Sequence, residues 1–196
     1  MLNRIMFVCL FLALCTTGSA LRCSWMENEF RQLSKKSLDL IDTMSNNSTS
    51  TTEDAEDEDA EYEDTDEEDE TVAFPNDLYS QASKASAVDK LSFTVQVLEE
   101  VLVLFKRNHN STSWQKSTVE NLITVVTREA DGLHSCIGSH MHKKKNKKLH
   151  MYFKRLSHHV LQNKDHSAEA WELIRKEITS HLLRTDVLVS SLLKTN

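Results

Sequence analysis

A chain of 196 residues with 39% hydrophobic and 27% charged side chains has globular composition and room for one domain rather than two. Three glycines and one proline are too few for the tight turns of a β-sandwich or barrel, which favours an all-α fold. The formal net charge of −7 averages two unlike parts: 14 of the 18 residues from Glu53 to Glu70 are acidic, and the rest of the chain carries a net of +7.

The amino terminus has one early charge at Arg4, an apolar stretch from Ile5 to Leu14, and small residues through Ala20. This is the pattern of a secretory signal peptide over residues 1–22, cut after Ala20 or directly before Cys23. The apolar stretch is too short to span a bilayer, so a secreted protein without membrane insertion is expected, with its domain over residues 23–196. Cys9 and Cys15 leave with the signal, and Cys23 and Cys136 are expected to pair in an oxidising compartment. Three Asn-x-Ser/Thr triplets, at Asn46, Asn47 and Asn110, are glycosylation candidates in segments that read as loops.

Met26, Phe30, Leu33, Leu40, Ile41 and Met44 recur at helical spacing and form one apolar face. The polar tract from Ser45 and the acidic run end that periodicity, so a loop insertion is expected over about residues 46–76. Asp77 is placed to cap a helix opening with Leu78 and Tyr79. Val88, Leu91, Val95, Leu98, Leu102 and Phe105 form a stripe, and Val97, Val101 and Leu104 add a second, the mark of a central helix. After a polar break, Ser113 is placed to cap a helix carrying Val119, Leu122, Val126, Ala130, Leu133 and Ile137, with Gly138 as its stop. Leu149, Tyr152, Phe153, Leu156 and Val160 share the next face. A turn at Lys164-Asp165-His166 and a cap at Ser167 introduce the last helix, whose buried side runs from Trp171 through Ile174, Ile178, Leu182 and Leu188 to Leu192. Lys176, Thr179, Ser180 and Leu183 fall on its outward stripe. Five long amphipathic helices with a long first connection fit a helical bundle whose first two long helices run parallel, as in cytokine bundles with crossover loops.

No motif for catalysis stands out: the chain lacks a Gly-x-Ser-x-Gly elbow, a His-Glu-x-x-His pair, a glycine-rich phosphate loop and a Cys-x-x-Cys. No cofactor is expected. His150, His158, His159 and His166 cluster in sequence without an acidic partner at ligand spacing, and read as surface histidines rather than metal ligands. Lys143, Lys144, Lys145, Lys147 and Lys148 form a cationic cluster. Behind a signal peptide it points away from nuclear import and nucleic acid, and towards a solvated loop or a patch for heparan sulfate or another polyanion. The acidic run reads as a tolerated insertion, with weak calcium binding or pairing with the lysine cluster as alternatives; it lacks the central glycine of an EF-hand.

Cys23-Ser24-Trp25-Met26, Leu38-Asp39-Leu40, Trp114, Cys136, Tyr152-Phe153-Lys154-Arg155 and Ala170-Trp171-Glu172-Leu173-Ile174-Arg175 together resemble type I interferons, most closely the bony-fish two-cysteine group. The resemblance covers residues 23–45 and 78–196. It implies an up-up-down-down five-helix cytokine that brings two class II cytokine receptor chains together to induce antiviral genes, and a Cys23–Cys136 disulfide. A second bridge common in the family is absent, because Glu169 stands at one of its positions and the first loop has no cysteine. The positions of the last helix that match family receptor contacts are Arg175, Lys176, Thr179, Ser180 and Leu183, with serine at 180 where many members have arginine.

Overall fold

The computed structural model describes residues 23–48, 72–108, 114–138 and 145–193. The expected signal peptide, the acidic run, Asn110, Ser113, Lys143 and Lys144 lie outside the described residues. Six helices follow in chain order, and among the described residues there is no strand. Helix α1 is Arg31–Ser48, entered without a break from one wider helical turn at Met26–Phe30. It is followed by α2 (Asn76–Ser83), α3 (Ala87–Asn108), α4 (Lys116–Ile137), α5 (Lys147–Arg155, extended by a wider turn at Leu156–Gln162) and α6 (Ala168–Leu193).

The five long helices carry the expected apolar faces, and α2 is a short addition. The chain breaks between α2 and α3 because Ser86 begins a new helix. Its hydroxyl accepts the Asp89 N–H at 3.2 Å and donates to the Asp89 carboxylate at 2.6 Å, a reciprocal cap. Other boundaries differ from the sequence expectation. Helix α1 continues through Ser48, so Asn46 and Asn47 lie in its last turn rather than in a loop, and the connection is shorter than residues 46–76 at both ends. Pro75 occupies the capping position of α2 and Asp77 its first turn, where the carboxylate still faces the positive helix end. Gln115, not Ser113, precedes α4. Gly138 does end α4, at a φ of +57° that favours glycine, with its N–H on the His134 carbonyl. Ser167 accepts the Ala170 N–H at 3.2 Å and opens α6.

Helices α1, α4, α3 and α6 form a closed ring, each packed on the next. Cys23 meets Cys136, so α1 and α4 are antiparallel. Ser34 bonds Asp186 at 3.0 Å, which places the start of α1 by the end of α6. Phe105 meets Trp171, so α3 and α6 are antiparallel too. The directions are therefore up for α1 and α3 and down for α4 and α6, the crossover topology of helical cytokines. Helix α3, apolar on most sides, packs against α2, α4, α5 and α6. One contiguous core runs from Met26 to Val189. At one end Trp114 and Trp171 meet edge to face at 5.6 Å, with Phe105 beside both.

Candidate functional site

Helix α6 carries the expected contact positions, and its register sorts them. Ile174, Ile178, Leu182 and Val189 are fully buried, so the opposite crest faces out, and Lys176 and Leu183 stand on it exposed. Val187 extends that crest one turn further at 65% exposure, a residue that the sequence reading did not single out. Thr179 and Ser180 are half-buried, and their hydroxyls donate to the carbonyls of Arg175 and Lys176 one turn back. Arg175 is turned to the side and held by Glu172 through two bonds of 2.8 and 2.6 Å. Its side chain is only 12% exposed, and the pair depresses the Glu172 carboxyl pKa. The five positions therefore form a crest of Lys176 and Leu183 flanked by three tied polar groups rather than one open row.

Beside this crest the chain that enters α2 is fastened to α6. Arg184 donates to Asn76 Oδ1 at 3.0 Å and lies over the Phe74 ring at 5.5 Å and the Tyr79 ring at 5.8 Å. Beneath them His181 is fully buried, with the Phe74 and Phe153 rings within 5 Å, at 4.7 and 4.8 Å. Tyr79 Oη lies 2.6 Å from His181 Nδ1, Tyr152 Oη lies 3.2 Å from Nε2, and Tyr152 donates to Glu177. Because the Tyr152 proton goes to Glu177, its oxygen accepts from Nε2–H, and Nδ1 accepts from Tyr79. A neutral imidazole satisfies every group in this line. Burial lowers the His181 pKa to about 3 and raises both tyrosines above their ordinary value. The line joins α2, α5 and α6. Position 181 lies three residues beyond Ile178 and seven beyond Ile174, so the apolar period alone could have marked it as buried.

Helices α1, α4 and α6 share a second buried polar group. Glu129 of α4 is 1% exposed, and its Oε1 has no hydrogen-bond partner. Burial pushes its pKa up to about 7; the Ser37 hydroxyl works against that rise and the nearby Asp186 charge adds to it. At the open end of the bundle Cys23 and Cys136 are bonded with Cα atoms 5.5 Å apart. The Trp25 ring lies on Gly132 so closely that an added Cβ would overlap it.

The lysine cluster is divided. Lys145 pairs with Glu99 at 3.1 Å, whereas Lys147 and Lys148 are exposed on the first turn of α5. Among the described residues no three His, Cys, Asp or Glu side chains converge on a metal position. His150 instead contacts Glu100 at 2.9 Å.

The chain matches a family model described as the interferon alpha/beta domain over residues 26–192. It is 31% identical to interferon a3 of Oncorhynchus mykiss over 185 residues, covering 94% of this chain and 95% of that protein. It is 28% identical to interferon tau-2 of Bos taurus over 123 residues, covering 59% of this chain and 69% of that protein. Among solved structures it is similar to zebrafish interferon 1, with a TM-score of 0.65 and 26% identity over 87% of this chain and 99% of that one. These relatives are cytokines rather than enzymes. A family match over residues 26–192, together with an up-up-down-down bundle closed by Cys23 and Cys136, places the chain in the type I interferon family.

Proposed function

We propose that the protein is a secreted interferon that binds two class II cytokine receptor chains on different faces of the bundle and so induces antiviral genes. One chain docks on the crest of α6, with the neighbouring parts of α1 and the first connection; the other docks on the opposite side. The ligand does no chemistry. It works as a rigid spacer, and the disulfide and aromatic cores at its two ends keep the faces in fixed relation.

The observation that carries this reading is the composition of the α6 crest. Of the five large apolar side chains that are exposed among the described residues, Leu173, Leu183 and Val187 lie on this helix. Apolar side chains on the solvent-facing side of a helix whose other side is already packed in the core, beside Lys176, are suited to an interface with an apolar centre and a charged rim. Lys176→Glu should weaken binding to one receptor ectodomain by tenfold or more and leave the urea midpoint unchanged, because the ammonium is exposed. Unaltered affinity for both receptor chains would remove α6 as the docking face.

A further inference from the structure

Helix α5 and its extension, Lys147–Gln162, contain no acidic residue. Lys147 and Lys154 are seven residues apart, as are Lys148 and Arg155, so each pair shares a side of the helix two turns apart, about 10.5 Å along the axis. All four side chains are exposed, and among the described residues none has an ion-pair partner. A groove of about 570 Å³ borders the first pair, between α5 and α3, and adds His158 to Lys147 and Lys154. A shallower groove of about 380 Å³ holds Lys147, Lys148, Met151 and Arg155. The two carboxylates facing the larger groove, Glu99 and Glu100 of α3, are engaged by Lys145 and His150.

From this arrangement we infer that the outer face of α5 is a binding surface for a sulfated glycosaminoglycan, held along the helix by the Lys147/Lys154 and Lys148/Arg155 pairs. A linear polyanion fits for three reasons. The cations repeat along an axis instead of converging on one point. The face has no carboxylate of its own to repel sulfate. Among the described residues its exposed large apolar side chains are Met151, 49% exposed between the two pairs, and Val103 of α3, 44% exposed on the far wall of the larger groove, two separate side chains that do not make the apolar centre of a protein interface. The surface differs from the lysine run seen in the sequence, because Lys145 is spent on Glu99 while Lys154 and Arg155 come from two turns further along the same helix.

The test uses the disulfide-bonded protein beginning at Cys23, on immobilised heparin and on a sulfonate cation exchanger of matched capacity. Despite a formal net charge of −7 for the whole chain, retention on heparin at neutral pH is expected, with elution at higher salt than from the sulfonate resin. Lys147→Ala/Lys154→Ala and Lys148→Ala/Arg155→Ala should each lower the slope of log Kd against log salt by roughly 1.5, two contacts at about 0.7–0.9 each on a linear polyanion. Lys147→Arg/Lys154→Arg should retain binding, and urea midpoints should stay at the parent value. Unchanged heparin retention in both alanine doubles would overturn the proposal. So would an equal loss on the two resins, which would mean simple cation exchange, or a loss of receptor-ectodomain binding with heparin retention intact, which would mean that the face belongs to a protein partner.

Discussion

Replacing Glu129 by glutamine separates two titrations that oppose each other inside the bundle. Glu129 has a folded pKa near 7 against an ordinary 4.5, so the native state holds its proton more tightly than the unfolded chain. That contribution to stability is complete below about pH 4.5 and is lost as pH rises through 7, in total about 3 kcal/mol at 1.36 kcal/mol per pKa unit. His181 has the opposite sign. Its folded pKa near 3 against 6.5 means that the unfolded chain takes the proton first. Its contribution is complete above about pH 6.5 and is lost as pH falls towards 3, in total about 5 kcal/mol.

Between about pH 4.5 and 6.5 the two slopes, each about 1.4 kcal/mol per pH unit, cancel. Glu129→Gln leaves His181 alone, so the variant should gain about 3 kcal/mol relative to the parent as pH rises across that window. His181→Gln should show the reverse, a relative loss as pH rises from 4.5 to 7. Urea unfolding at half-unit steps of pH, with constant m-values, measures both differences, and the acidic run contributes the same background to every curve. Curves for Glu129→Gln and the parent that stay parallel from pH 4.5 to 7 would refute the assignment of a protonated Glu129 to the folded core.

Gly132→Ala should destabilise. The methyl group overlaps the Trp25 ring, and overpacking costs about 1–3 kcal/mol, which outweighs the gain of about 1 kcal/mol from alanine in a helix. In a Trp25→Ala background the same substitution should become stabilising, and a loss that persists there would show that the ring is not the cause; urea midpoints read both. The Cys23–Cys136 bridge spans a sequence separation of 113, for which chain entropy gives about 5 kcal/mol. Cys23→Ser/Cys136→Ser should lower Tm by roughly 10–20 °C. An unchanged calorimetric Tm would remove the structural role of the bridge.

The core faces were legible because they are periodic. Met26 to Met44 and Trp171 to Leu188 repeat at helical spacing, and Gly138 and Ser167 are punctuation with a local cause. The sequence signal failed where a local pattern was masked or where the partner is distant. Ser86 and Asp89 carry a capping signature, yet the apolar stripe beginning at Val88 draws attention past it. Asn46 and Asn47 are weak helix formers, but a helix already nucleated by the packed Ile41 and Met44 extends through them to Ser48. Spacing places Arg175 near the outward stripe of α6 and cannot tell that Glu172 turns it aside. Glu129 and His181 sit at buried register positions, but what makes their burial tolerable comes from other helices. Ser37 is 92 residues from Glu129, and the hydroxyl of Tyr79 is 102 residues from His181.

Those distant partners also explain how a surface made from two remote parts of the chain can act as one. The α6 crest and the entry to α2 are separate in sequence, and Phe74 stands just after the acidic connection. An apolar contact alone would let the entry segment slide along α6. The imidazole of His181 does not permit this, because its two nitrogens are directional and both are engaged, one by Tyr79 from α2 and one by Tyr152 from α5. Arg184 repeats the constraint from above through Asn76 and the Phe74 ring. Displacing the entry segment by one residue would leave a buried tyrosine hydroxyl and a buried ring nitrogen unpaired, each at a cost of about 1–3 kcal/mol. A buried polar line in the middle of an apolar bundle thus fixes where the long connection ends relative to Leu183 and Val187, and the acidic run can vary in length and charge without moving that edge of the surface.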